Sequence, residues 1–233
     1  MADAVQQSTD APRPGNASTI EYIVQRLEEE IVLGRLRPRQ RLLEEELTEY
    51  FGTKRHNVRA ALMELESMGI VVRQPNRGAA VRDFTVQEVE QIYEVRELLE
   101  THAARITPLP ASPECIAELK LVQARHGKAA DEHDTRTVFR SNLEFHRTLF
   151  AACGNPYLAE QISQLASRAH AIRFHVITDS THLQRARREH EEMIECLQSG
   201  DRARFIELVS GHLRPSKEAY LRLASSLGDN PFI

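Results

Sequence analysis

Cysteine is scarce in this chain: three among 233 residues, Cys115, Cys153 and Cys196, far apart and in no CxxC pair. An odd, scattered set excludes a disulfide framework and a thiolate zinc site, and it fits a reducing compartment. No run approaches the roughly 18 consecutive apolar residues that a membrane helix needs. The opening stretch, Met1 to Ser18 with Pro12, Pro14 and Gly15, lacks the apolar core of a signal peptide. The expectation is a soluble, cytoplasmic protein with no membrane partner. Excess positive charge is missing too, since 30 Lys+Arg stand against 34 Asp+Glu for a net charge of -4. Duplex binding neutralises phosphates with Lys and Arg, so this sign argues against nucleic acid if the charge is evenly spread. A composition 41% hydrophobic and 27% charged excludes collagen and a disordered tail. The length allows one large domain or two modest ones with real cores. What the chain has in quantity is histidine, ten of them.

Residues 1 to 17 are small, polar and without apolar periodicity, which reads as a flexible arm. Ser18-Thr-Ile-Glu21 has the form of a capping box, and a helix to about Leu33 carries the stripe Ile20, Ile23/Val24, Leu27, Ile31 before Gly34. A short helix from Glu44 to Phe51 ends at Gly52. Thr53 can cap a third, Lys54 to about Met68, whose inner face is Val58, Ala61/Leu62, Leu65 and Met68. Two β-type runs follow, Ile70 to Arg73 and Ala79 to Arg82, joined by the turn chemistry of Pro75-Asn76-Arg77-Gly78. Beyond Asp83 the pattern is helical only. Thr85-Val-Gln-Glu88 starts a helix through about Ile106, and Ser112-Pro113 opens another. Further helices are expected at about 114 to 131, 135 to 152, 157 to 177, 181 to 199 and 201 to 224. The fold class is therefore mostly α: an N-terminal winged helix-turn-helix over 18 to 83 and an all-α bundle over 84 to 233.

The charge is not evenly spread. Residues 53 to 82 hold six basic and two acidic side chains, net +4, while 18 to 83 balance at eleven of each and 84 to 233 carry eighteen against twenty-one. Arg55 and Arg59, at i and i+4 near the start of the third helix, can project together into a major groove, as bidentate partners of guanine O6/N7 or as phosphate clamps. Lys54, His56 and Asn57 share that helix start and are candidates for the same contacts. Arg77 and Gly78, at the hairpin tip, suit the minor groove or phosphate. An isolated basic pair is more often a solvated face; here the order of elements favours double-stranded DNA. The stretch from Gly34-Arg-Leu-Arg-Pro38 through Phe51-Gly52-Thr-Lys-Arg55-His-Asn-Val58-Arg59-Ala-Ala61-Leu62 to Asn76-Arg77-Gly78-Ala79 closely resembles the DNA-binding domain of GntR-type bacterial regulators. Members commonly carry Pro-Gly where this chain has Pro38-Arg39, and Ser-Arg-Thr-Pro-Val-Arg-Glu-Ala-Leu where it has Lys54 to Leu62. Both arginines remain while their neighbours differ, which leaves room for a different operator.

In the helical part, Asn142 and His146 stand at i and i+4 on one helix, with Leu149 continuing the stripe. His190 is in line with Met193/Ile194 and Leu197, and His212 with Phe205 and Leu208. Gly200-Asp201 turns between those two helices, which should be antiparallel neighbours. At 1.5 Å per residue His190 and His212 lie about 14 Å and 16 Å from that turn, nearly level. Three imidazoles and one side-chain oxygen converging in a bundle would make a site with open positions for a divalent metal ion such as Zn, Ni or Mn. The plainer reading is that each is a hydrogen-bonded core residue. His102, His126, His133 and His182 read as surface or capping residues.

Tyr93-Glu-Val-Arg-Glu-Leu-Leu-Glu100, Asn142-x-x-Phe145-His146, Gly154-Asn155-Pro-Tyr-Leu158, Glu189-His190, Gly200-Asp201 and His212-Leu213 together resemble the FCD effector-binding domain of the FadR branch of GntR regulators. In metal-binding members an Asp and three His hold the ion. The resemblance carries these onto Asn142, His146, His190 and His212, with a neutral amide in place of the carboxylate. It implies a small carboxylate or sugar acid as effector, bound over the metal. Arg96 is a candidate for gripping the effector's other end, unless a salt bridge with Glu97 or Glu100 occupies it. Tyr93, His170, Arg173 and His175 are further candidates. The expectation is a homodimeric transcriptional regulator, a repressor on a palindromic operator, and not an enzyme. The alternatives are a metal-dependent hydrolase, against which no Asp or Glu is obviously placed as general base, and a regulator that senses metal directly.

Overall fold

Apolar residues at helical spacing drive α1 (Asn16–Val32), whose Ile23, Val24, Leu27 and Ile31 are buried. In this computed structural model, residues 16–74, 78–173 and 179–228 are described. They fall into two units that meet in sequence at Asp83 and Phe84. In the first, α1 packs on α3 (Arg55–Ser67) through Val58, Ala61, Leu62 and Leu65, with α2 (Glu44–Tyr50) lying against α3. The helix begins at Asn16, two residues before the expected cap Ser18. A sheet of order β1-β3-β2 completes the unit. Its strands are β1 (Arg41–Leu42), β2 (Val71–Gln74) and β3 (Gly78–Val81), all antiparallel. The hairpin matches expectation to within a residue, whereas β1, two residues long, leaves no periodicity to read.

Two backbone positions explain the local sequence. Gly78 has φ +80°, and a Cβ there would stand 2.7 Å from the Leu42 carbonyl oxygen, so β1 and β3 can pair only around a glycine. Arg39 occupies the position where the resembled family has glycine, and it takes φ 65° itself. Its Nε donates to Asp83 Oδ2 at 2.6 Å, a contact that opposes the cost of that conformation.

The second unit comprises α4 (Val86–Ile106), α5 (Pro113–Asp131), α6 (Thr135–Ala151), α7 (Pro156–Arg168), α8 (His170–Arg173), α9 (Ser180–Ser199) and α10 (Arg202–Gly228). Local chemistry sets most of their starts. Thr85 and Glu88 form the reciprocal capping box, Ser112 caps α5 with Pro113 behind it, and Asp201 accepts from the Arg204 amide at 3.0 Å. Gly200, at φ 85°, ends α9 and allows α10 to return alongside it. The single helix expected over 157 to 177 is broken, because α7 ends at Ala169 and α8 is a separate turn. Phe145, Leu149, Met193, Leu197, Phe205 and Val209 form the heart of the core. Helix α5 packs on α6 and α9, and α10 on α4 and α9, so α4 and α5 flank the packed helices α6, α9 and α10.

Candidate functional site

On the first unit, Lys54, Arg55, His56 and Arg59 are exposed at the start of α3. The arginines are not loose. Glu44, the first residue of α2, accepts from Arg55 Nε at 2.8 Å and Arg59 Nε at 2.9 Å, both at Oε2. Burial pushes the Glu44 carboxyl up, but bonds from two guanidinium groups outweigh it and hold it below its ordinary value. Asn57, expected to face DNA, is instead 3% exposed and donates from Nδ2 to Thr53 Oγ1 at 2.9 Å. It follows the inward Val58 rather than the arginines, and Thr53 serves it instead of capping α3; the cap is Lys54, with no side-chain bond. Gly78 is accounted for by the close approach of β1. Arg77 lies outside the described residues.

In the second unit His146, His190 and His212 come together. One nitrogen from each ring lies within 4.8 Å of the others, and ring centroids are 5.0 to 5.1 Å apart. Each helix contributes one: α6 brings His146, α9 His190 and α10 His212. Asn142 lies one turn before His146 on α6 and is partly buried. Phe145 stacks on His190 at 3.9 Å and 15°, fixing that ring's plane.

Two polar neighbours settle which nitrogen of His190 and of His212 turns away from the cluster. Gln123 on α5 lies 3.0 Å from His190 Nδ1 through its Oε1, while its Nε2 donates to the Arg187 carbonyl at 3.1 Å. With its amide nitrogen committed, Gln123 offers an acceptor, so His190 carries the proton on Nδ1 and the lone pair on Nε2. Glu189 Oε2 lies 2.6 Å from His212 Nδ1, and Arg185 Nε donates to Oε1 at 2.6 Å. Burial raises the Glu189 carboxyl, but the bonds from His212 and Arg185 prevail and leave it below its ordinary value. A histidine backed by a carboxylate, with the opposite nitrogen directed inward, is how metal-binding imidazoles are held.

Sequence reasoning missed Gln123, Glu189 and Glu44 in these roles, and it misplaced His126. That residue is 1% exposed, not at the surface, with its ring 5.4 Å from that of His190. Burial, then the neighbouring His212 and Arg187, push its pKa down to about 4. The signal was present: Leu119, Val122, Gln123 and His126 form one stripe of α5, polar residues among apolar ones.

The effector candidates divide. Arg96 and Glu100 form a buried ion pair, Nε to Oε1 2.9 Å, each side chain 3% exposed. Arg96 also lies over the Tyr93 ring at 5.1 Å. Its Nη1 is buried with no hydrogen-bond partner among the described residues. Buried Tyr93 pairs through its hydroxyl with Ser216 Oγ at 2.8 Å, and Ser216 is one turn beyond His212 on α10. His170 is buried edge-on against Phe139, 5.2 Å between centroids. Phe139 precedes His146 by seven residues, so His170 stands about 10 Å along α6 from the cluster. The Arg173 side chain and His175 lie outside the described residues.

Residues 19–81 match the model for bacterial regulatory proteins of the gntR family, and residues 91–215 match the FCD domain. The chain belongs to the GntR family. This GntR regulator is 29% identical over 210 residues to the HTH-type transcriptional regulator BphR of Paraburkholderia xenovorans (strain LB400), covering 85% of this chain and 84% of that protein. It is 26% identical over 171 residues to the HTH-type transcriptional regulator YdhC of Bacillus subtilis (strain 168), covering 72% and 76%. It shares its fold with E. coli McbR/YncC, with a TM-score of 0.70 at 20% identity over 91% of this chain and 99% of that one. These proteins are regulators, and the chain is a bacterial helix-turn-helix transcriptional regulator with an FCD domain, not an enzyme. Among the described residues, no helix is long and apolar enough to cross a membrane.

Proposed function

We propose that this GntR regulator is a cytoplasmic homodimeric repressor whose grip on a palindromic operator is released by a small carboxylate or sugar acid bound at a divalent metal. The observation that carries the reading is the convergence of His146, His190 and His212, with Gln123 behind His190 and Glu189 behind His212. The donor set fits such an ion. Three neutral imidazole nitrogens suit Zn or Ni better than a hard cation, and Asn142 adds a weak oxygen donor at most. The ion would supply open positions for a carboxylate oxygen. Buried Arg96 Nη1, reached through Tyr93 and Ser216 one turn from His212, is the group proposed to meet the effector's far end.

At the other unit, Arg55 and Arg59, with Lys54 and His56 beside them, are proposed to enter successive major grooves from the two protomers. Elemental analysis joined to native mass spectrometry of the purified protein tests the metal and the dimer together. The expected result is a dimer with one divalent ion per chain, lost when His190 or His212 is replaced by Ala. Metal-free protein whose effector response survives either replacement would reduce the cluster to packed core histidines.

A further inference from the structure

Glu44 is unusual among the acidic residues of the first unit because one of its oxygens serves two arginines from the helix proposed to read DNA. Its side chain is 15% exposed, while those of Arg55 and Arg59 are 66% and 55% exposed. The carboxylate is thus the fixed partner and the guanidinium groups are the accessible ones. It also has a rigid base, as N1 of α2, with Thr48 Oγ1 bonded to its carbonyl at 2.6 Å one turn on.

The atoms used matter. Each arginine donates through Nε, which leaves both terminal nitrogens of each guanidinium uncommitted to Glu44. An arginine gripped at Nε presents its end-on edge, the pair of parallel donors that matches guanine O6 and N7. Gripping both from one oxygen also sets the distance between the two forks. Much of the rotamer freedom that a long side chain loses on docking is thereby removed before DNA arrives. The same carboxylate has an electrostatic effect of opposite sense. Two guanidinium groups and one carboxylate leave a local charge of one rather than two, which weakens attraction to phosphates of any sequence. Both effects favour discrimination over bare affinity. Stability gives little reason for the arrangement, since ion pairs this exposed on the arginine side contribute little.

We propose that Glu44 is a positioning residue for DNA reading: it turns the terminal edges of Arg55 and Arg59 outward as paired guanine-reading forks and withholds them from indiscriminate phosphate contact. This rests on the reading of α3 as the groove-entering helix. The test uses full-length protein and fluorescence anisotropy on two duplexes of roughly 30 base pairs, room for two half-sites one helical turn apart. One is enriched by the wild-type protein from a random pool, and the other is an unselected random sequence. Glu44→Gln should lower the ratio of the two affinities by about tenfold. Binding to the random duplex should tighten, with its salt slope steeper by about one. Glu44→Asp keeps the charge and shortens the reach, so the ratio should fall with the slope unchanged; it also stands in if the Gln variant fails to fold by circular dichroism. A wild-type ratio in a folded Glu44→Asp or Glu44→Gln variant overturns the proposal. Arg55→Ala/Arg59→Ala separates the two levels. Undiminished affinity of that variant for the enriched duplex sinks the reading of α3 itself, whereas lost affinity alongside unaltered Glu44 variants sinks only the role of Glu44.

Discussion

Replacing Arg96 by Met tests whether this arginine is a structural ion-pair partner, an effector ligand, or both. Its guanidinium and the Glu100 carboxylate are each 3% exposed and joined at 2.9 Å, so neither can fall back on water when the other is removed. Breaking a buried pair from one side costs about 3–5 kcal/mol, because the stranded charge must stay desolvated or take up a proton. The Tyr93 ring, 5.1 Å from the guanidinium carbon, loses its cation as well, an effect of about 1 kcal/mol and partly included in that range. For a unit of this size such a loss lowers the melting temperature by about 6–20 °C. The chain has no tryptophan, so far-UV circular dichroism of the full-length protein is the natural signal, followed against temperature and urea. Arg96→Met/Glu100→Leu removes both charges and fills the space with apolar atoms, and it should recover most of the stability. If Arg96→Met costs less than about 1 kcal/mol, or the double variant is no better than the single, the pair is not the desolvated partnership argued here. The double variant then isolates binding: restored stability with lost effector response would assign Arg96 to the ligand as well as to Glu100.

Glu189→Gln removes the carboxylate behind His212 and should weaken metal binding by about 10–100-fold in competition with a chromophoric chelator; unchanged affinity would mean that Glu189 does not tune the site. Gly78→Ala combines a left-handed backbone with a Cβ 2.7 Å from the Leu42 carbonyl oxygen. It should cost about 2 kcal/mol or more and speed amide exchange along β3, and wild-type exchange there would refute the steric argument. The Glu44 carboxyl sits below its ordinary 4.5, so its ion pairs contribute stability above that value and lose it only as pH falls through the depressed one. The Nε–H resonances of Arg55 and Arg59 should therefore hold their positions from pH 7 to 5 and move only in more acid solution; movement near pH 6 would contradict the pairing. Asn142→Asp should shift metal preference from Zn toward Mn and weaken carboxylate binding, both readable by calorimetry, and no shift in either would place residue 142 outside the ion's reach.

Features that depend on a few neighbouring residues were legible in the sequence. The Thr85/Glu88 box, Ser112-Pro113 and the Gly200-Asp201 turn are local chemistry: the first two mark the starts of α4 and α5, and the third turns α9 into α10, the helices that carry His190 and His212. Level matching across that turn followed from rise per residue alone, and the rings of His190 and His212 do stand 5.0 Å apart. What stayed hidden depends on partners distant in sequence. Gln123 meets His190 across 67 positions, and Glu44 meets Arg59 across 15. His126 looked like a surface residue because its inward stripe is mixed, and only the packing of α5 on α6 and α9 shows that side to be buried. Asn57 faces the other way because it stands two residues from both Arg55 and Arg59, roughly 200° of rotation about the helix, which carries it from their outward face to the inner one. The break at Ala169 has no proline or glycine to announce it.

The substitution at Asn142 has a physical reading once Glu189 is in view. In the proposed site a divalent ion would face three neutral imidazoles and an amide, so no ligand from the protein would offset its charge directly. The carboxylate nearest the cluster by hydrogen bond is Glu189, one bond behind His212 and shared with Arg185. A carboxylate in the ion's own shell, as the resembled family carries, would neutralise part of the charge before any effector arrived. With an amide there, more of it would be left for the effector's carboxylate to meet, beside the buried Phe145 ring stacked on His190, which keeps the local dielectric low. In that proposed site, an amide in place of the Asp would thus weaken the hold on the ion while strengthening the ion's hold on an anion. The trade suits a regulator in which occupancy by a carboxylate, rather than by metal alone, is the signal.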